Sequence, residues 1–319
     1  MKIARSLAAL AAALVASPVM AQQAPAAAPT AAQAEAFLAN AEKALFDQSI
    51  ISGRAAWVNA TYITDDTDAL ASYFGAIDTK QRVDYALEAA KYAAAPGLSA
   101  ETKRRLNLLQ TALTLPAPTT AGAAEELNQL ATKLQSAYGK GKGTLKGQPI
   151  NGSDIEEQMG INRNPAELKE MWVSWHDNVG APMREDYAKL VGIANAGSKE
   201  LGFADTGAMW RSKYDMPADD FAKLTDKIWA EVKPLYDELH CYTRAKLNEK
   251  YGDAVQPATG PIRADLLGNM WAQEWGNIYD IVAPAGAGDL GYDVTELLTA
   301  KGYDPVKMVK AGEGFYSSL

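Results

Sequence analysis

The chain has 319 residues, 48% of them hydrophobic, with 39 acidic against 31 basic side chains and a formal net charge of −8 at pH 7. That acidic balance argues against nucleic acid or an anionic membrane surface as partner, because both are bound by neutralising phosphates with Lys and Arg. A single cysteine, Cys241, excludes an internal disulfide, so the fold depends on its apolar core.

Residues 1–21 have the three-part layout of a secretory signal. Lys2 and Arg5 form a basic start, residues 7–15 an apolar run, and Val19, Met20 and Ala21 a small-x-small ending before Gln22. Cleavage after Ala21 and a periplasmic or secreted location are the expectation, and loss of Lys2 and Arg5 takes the formal charge to −10. The apolar run is shorter than the ~20 residues a membrane span needs, so no membrane association is expected once the signal is gone. What is left suffices for one large domain or two modest ones. Residues 22–30, QQAPAAAPT, carry no large apolar group to offset ordering entropy and read as a flexible tether.

From Ala31 the pattern turns helical, with Phe37, Ala41, Ala44 and Leu45 at spacings of three and four and the periodicity continuing through Trp57 and Tyr62. The same character recurs over residues 79–94, 100–115, 121–138, 165–179, 182–201 and 217–251, and almost nothing alternates with period two over strand length. The class is mainly α. Capping signals agree: Ser99 precedes Ala100, Asn164 stands before Pro165, and Pro217 opens a helix after Met216. Between the fourth and fifth periodic stretches, residues 139–143 read Gly-Lys-Gly-Lys-Gly and open a polar loop to about Ser153. This is the candidate sub-boundary within a helical domain of residues 31–319, which shows no repeat at a solenoid period.

The chemistry-bearing residues are few. A catalytic zinc commonly needs two His one helical turn apart in His-Glu-x-x-His, with a carboxylate further on. This sequence has two histidines, His176 and His240, 64 positions apart, and lacks the motif. His240 and Cys241 are adjacent, and neighbouring residues on a helix diverge too far to share a metal. No Gly-x-Ser-x-Gly elbow is present, and Cys241 sits in an amphipathic stretch. The pairs Glu156-Glu157 and Asp219-Asp220 are more simply dipole-complementing residues at helix starts than catalytic dyads. In residues 260–284, Trp271, Trp275 and Tyr279 recur every four positions, placing an aromatic stack on one helical face with Gln273, Asn277 and Asp280 off that line. By periodicity alone, a core helix with ordinary surface polar groups is the simpler reading.

Residues 266–284, LLGNMWAQEWGNIYDIVAP, closely resemble a signature of the peptidyl-dipeptidase A family, which includes angiotensin-converting enzyme and its bacterial relatives. Collinear support comes from Trp172-Val-Ser-Trp175, Met209-Trp-Arg-Ser-Lys-Tyr214, Lys233-Pro-Leu-Tyr-Asp-Glu-Leu-His240 with Tyr242, and Glu313-Gly-Phe-Tyr-Ser-Ser-Leu319. The similarity is strong from about Gly160 onward and weaker before it. The resemblance implies a bacterial member with an almost wholly helical, two-lobed fold around a deep central channel. The implied reaction is release of C-terminal dipeptides from peptides by zinc-activated water.

The resemblance also implies roles for individual residues. Gln273 would hydrogen-bond the substrate's C-terminal carboxylate, since a neutral amide N–H fixes an anion's orientation while cationic groups supply charge. Glu274 would border the pocket for the terminal residue, where an acidic group favours basic side chains. Tyr214 resembles a chloride-lining tyrosine, and His176 stands where the family's chloride-binding arginine is expected. A neutral imidazole holds an anion poorly, so chloride dependence at that site is in question. At Gly143-Thr144 a cysteine common in relatives is missing, which implies one surface disulfide fewer. The zinc ligands and the general base would follow Leu319 in the family. The expectation is therefore an N-terminal part with no zinc of its own, inactive alone, whose uncovered apolar inner face calls for a completing C-terminal half. The alternative expectation is a non-catalytic helical peptide-binding module, or a half-enzyme completed by a separate chain.

Overall fold

A computed structural model of the chain describes residues 28–287 and 291–319; the proposed signal and most of the tether lie outside them. The described residues are mainly helical, as the periodicity predicts. Helix α1 (Ala31–Thr61) starts on a capping box in which Thr30 and Gln33 satisfy each other's backbone N–H groups. Helix α2 (Asp65–Tyr92) begins well before the predicted position 79, on a second box formed by Thr64 and Thr67, with Asp65, Asp66 and Asp68 facing the positive end of the helix dipole. Helix α3 (Ala100–Thr111) is capped by Ser99 and ends short of the predicted 115, because Pro116 disfavours helical backbone just before it. Helix α4 (Ala123–Lys140) follows. Ala34, Leu38, Ala89 and Leu106 close the α1–α3 layer, and Leu127, Leu130 and Leu134 pack α4 against Leu190 and Ala194 of a later helix.

The expected polar loop after Gly139 contains a β-hairpin. Strands β1 (Lys142–Leu145) and β2 (Gln148–Asn151) pair antiparallel, Leu145 opposite Gln148. Lys146 and Gly147 both have positive φ (53° and 73°), the turn that matches strand twist in a two-residue hairpin. The Glu170 carboxylate accepts the N–H groups of Gly147 (2.8 Å) and Lys146 (3.0 Å), which tie the turn to the next helices and hold that carboxyl below its usual pKa. Four-residue strands are too short to show alternation in sequence.

Helix α5 (Gly152–Ile161) leads to α6 (Pro165–Trp175), a π-turn (His176–Gly180) and α7 (Ala181–Glu200), one nearly continuous run. Pro182 has no N–H to give to the preceding turn, and the wider π-turn absorbs that missing bond. Helix α8 (Thr206–Arg211) precedes α9 (Ala218–Tyr251), which carries Pro234 internally. The main core joins Ile155, Met159, Leu168, Met171, Trp175 and Val179 to Leu247, Leu266, Leu267, Met270 and Ile278. Helices α10 (Tyr279–Val282), α11 (Val294–Ala300) and α12 (Pro305–Ser317) contain no buried residue. No described helix is long and apolar enough to cross a membrane.

Candidate functional site

Residues 260–284, which periodicity presents as a helix with an aromatic face, instead hold two short 3-10 turns (Ala264–Leu266 and Gly276–Ile278) joined by irregular loop and followed by α10. Two features break the helix. Gly268 has φ +89°, and a Cβ there would lie 2.8 Å from Cβ of Asn277, so only glycine fits. Ala272 has φ +54°, a left-handed position that a side-chain-bearing residue adopts only when its surroundings hold it there.

Those surroundings consist of side chains bonded to the loop backbone. The N–H of Met270 donates to Glu156 on α5 (3.3 Å), and its carbonyl accepts from Trp172 Nε1 on α6 (3.2 Å). Asn269 accepts from the N–H of Trp271 (2.9 Å) and donates to the carbonyl of Glu274 (2.9 Å). Trp275 Nε1 donates to the carbonyl of Ala272 (2.9 Å), and Asn277 to that of Gly268 (2.9 Å). Arg163 donates to the carbonyl of Asn277 (2.7 Å) and to both carboxylate oxygens of Asp280 (2.9 and 3.2 Å), holding the Asp280 carboxyl below its usual pKa. Tyr242 of α9 donates to the carbonyl of Val282 (2.9 Å). Glu156, which sequence pairs with Glu157 as a dipole residue, is thus a backbone anchor in the body of its helix.

The loop sends its two indoles to different neighbours. Trp271 stacks on Tyr138 of α4 (6.3 Å between centroids) and meets the edge of His176 (6.3 Å). Trp275 faces Tyr236 (6.1 Å) and His240 (6.3 Å) of α9. Gln273 and Glu274 lie between them in the chain, both exposed. The His176 ring lies 3.9 Å from that of Trp172, and its Nδ1–H donates to the carbonyl of Trp172 (2.7 Å). Tyr214, 53% exposed, stacks on Phe221 (3.8 Å). Each member of the proposed chloride pair therefore has a ring partner of its own. His240 accepts from Arg244 Nη1 (3.4 Å), and Arg244 Nη2 reaches Sγ of the exposed Cys241 (3.6 Å). The two histidines flank the loop from separate helices, and among the described residues no three His, Cys, Asp or Glu side chains group closely enough to hold a metal ion.

Sequence reasoning singled out Gln273 and its neighbours and missed what supports them. Gly268-Asn269 is a turn dipeptide, and reading it as one would have broken the presumed helix at the right place. The distant anchors Glu156, Arg163 and Trp172 leave no such local signal.

A model of the peptidase M2 family, described as angiotensin-converting enzyme, matches residues 28–319. The chain is 32% identical over 290 residues to an angiotensin-converting enzyme of Haematobia irritans exigua, covering 89% of this chain and 46% of that protein. It is 31% identical over 291 residues to that of Mesocricetus auratus, covering 90% of this chain and 22% of the relative. With the Bos taurus enzyme it shares 33% over 271 residues, covering 83% and 20%. The chain thus spans less than half the length of these relatives, and over nearly all of its described residues it belongs to the angiotensin-converting enzyme family of peptidases.

Proposed function

We propose that this chain supplies the side of a peptidyl-dipeptidase that receives the C-terminal carboxylate of a peptide substrate, with Gln273 as the orienting donor. The observation that carries this is the exposed Gln273 in a loop braced from α5 and α6, with an indole on either side of it in the chain. Its amide N–H would donate to a carboxylate oxygen; a neutral donor contributes direction, and cationic groups from elsewhere contribute charge. Glu274, exposed beside it, would favour a basic terminal side chain.

The residues present do not fit the family's zinc. Two histidines on separate elements, an exposed lone cysteine and, among the described residues, no three-donor group give fewer ligands than a catalytic site uses. The metal donors and general base of the reaction are therefore proposed to lie outside residues 1–319. For chloride, the Nδ1 donor of His176 is already given to the carbonyl of Trp172, so that nitrogen is not free to hold an anion. A periplasmic or secreted site of action is part of the same proposal, supported by the signal-like layout of residues 1–21.

A second reading, a non-catalytic helical peptide-binding module or a half-enzyme completed by a separate chain, is favoured by the apolar middle of α9. There Trp229, Val232, Leu235 and Leu239 are all about half exposed or more. The test is titration of the full chain with a short peptide and with its C-terminal amide. The carboxylate form is expected to bind about tenfold tighter, and Gln273→Ala to remove most of that preference. Equal binding of both forms by the unaltered chain would sink the carboxylate role.

A further inference from the structure

Gln273 has an exposed, flexible side chain on a turn containing a left-handed alanine, so its usefulness depends on what fixes the backbone beneath it. From these contacts we infer that Asn269 is a positioning residue for carboxylate binding, presetting the turn that presents Gln273. This rests on the proposed role of Gln273 and adds the residue through which that role is set.

Three observations carry it. Asn269 is 8% exposed, and its amide spends both functions on the same turn, accepting from the N–H of Trp271 and donating to the carbonyl of Glu274. It thereby joins the residue two before Gln273 to the residue just after it, so the flanks of the turn cannot separate without breaking one of these bonds. The backbone between carries the strain: Ala272 sits at φ +54°, and its carbonyl is held by Trp275 Nε1. Met270, next to Asn269, is fixed from both sides by Glu156 and Trp172, so Asn269 is itself anchored to α5 and α6. A loop that had only to fill space between helices would need neither a buried amide bridging its flanks nor a left-handed alanine. A donor required to meet a carboxylate in one orientation needs both.

The role is one of geometry and is tested in the full chain by two readouts. The first needs no ligand. In hydrogen–deuterium exchange, Asn269→Ala is expected to speed exchange across 271–274 about five- to tenfold, the loss of one or two hydrogen bonds, with α6 and α4 unchanged. Asn269→Asp keeps the acceptor for Trp271 but loses the donor to Glu274, and should fall between. The second readout is affinity for a short peptide with a free C-terminal carboxylate against its amide. Asn269→Ala is expected to weaken the carboxylate form about five- to tenfold and leave the amide form within about twofold. Unchanged exchange at 271–274 in Asn269→Ala overturns the inference whatever Gln273 does. Faster exchange with undiminished carboxylate affinity, while Gln273→Ala weakens it, overturns it as well. Faster exchange when neither variant alters peptide binding keeps Asn269 as the brace of the turn and removes the carboxylate role of Gln273 instead.

Discussion

Helices α6 and α9 are both amphipathic, both carry tryptophans, and both contribute to the same core, yet they differ in closure. On α6, Leu168, Met171 and Trp175 are 4% exposed or less, packed under the hairpin, α5 and the 263–282 loop. On α9 only Thr243 and Leu247, near its C-terminal end, are buried, while Leu235 is 73% exposed and Trp229 51%. The difference teaches that the pattern of apolar residues along a helix says which face wants cover and nothing about whether cover is present. An exposed apolar stripe of this length is what the proposed second reading rests on.

Substitutions that remove buried and exposed apolar groups measure that contrast. Trp175→Ala removes a buried indole and is expected to cost about 3–5 kcal/mol in chemical denaturation, against about 0.5 kcal/mol or less for Leu235→Ala. A comparable loss from Leu235→Ala would mean that the middle of α9 is covered after all. Next in size is Gly197→Ala on α7. A Cβ there would lie 2.4 Å from the carbonyl oxygen of Pro116, backbone that cannot swing aside, and a cost of about 1–3 kcal/mol is expected. Asn164→Ala removes the side chain that caps α6 at the N–H groups of Ala166 and Glu167, for about 1 kcal/mol in thermal or urea melts.

A further small effect is electrostatic. Arg163 lowers the pKa of Asp280, so the pair's contribution is complete above the unfolded value near pH 4 and fades as pH falls through the lower folded value. Because the Asp280 side chain is 60% exposed, that contribution is held to about 1 kcal/mol or less. Stability curves of the unaltered chain and Asp280→Asn should converge at low pH and separate above about pH 4.

What could be read in the sequence follows from where the determining forces act. Capped helices such as α3 and α6 were legible because Ser99, Asn164 and Pro165 act on backbone within a few residues. The start of α2 does carry a local signal, Thr64 with Thr67 and three aspartates, but apolar periodicity does not register it, and packing against α1 and α4 orders the rest of the helix. The 263–282 segment misled for the opposite reason. Its four-residue aromatic spacing imitates a helix, while Gly268, Asn269 and contacts from Glu156, Trp172 and Arg163 impose a loop. Gln273 was found through family resemblance, and the residues that hold it were visible only in three dimensions.

Zinc stoichiometry of the purified chain after metal stripping and reconstitution, with dipeptide release measured in parallel, tests the proposal that this chain orients substrate without holding the catalytic metal. Substoichiometric, weakly held zinc and no dipeptide release are expected. One tightly bound zinc per chain, lost in His176→Ala or His240→Ala and accompanied by release of C-terminal dipeptides, would contradict it.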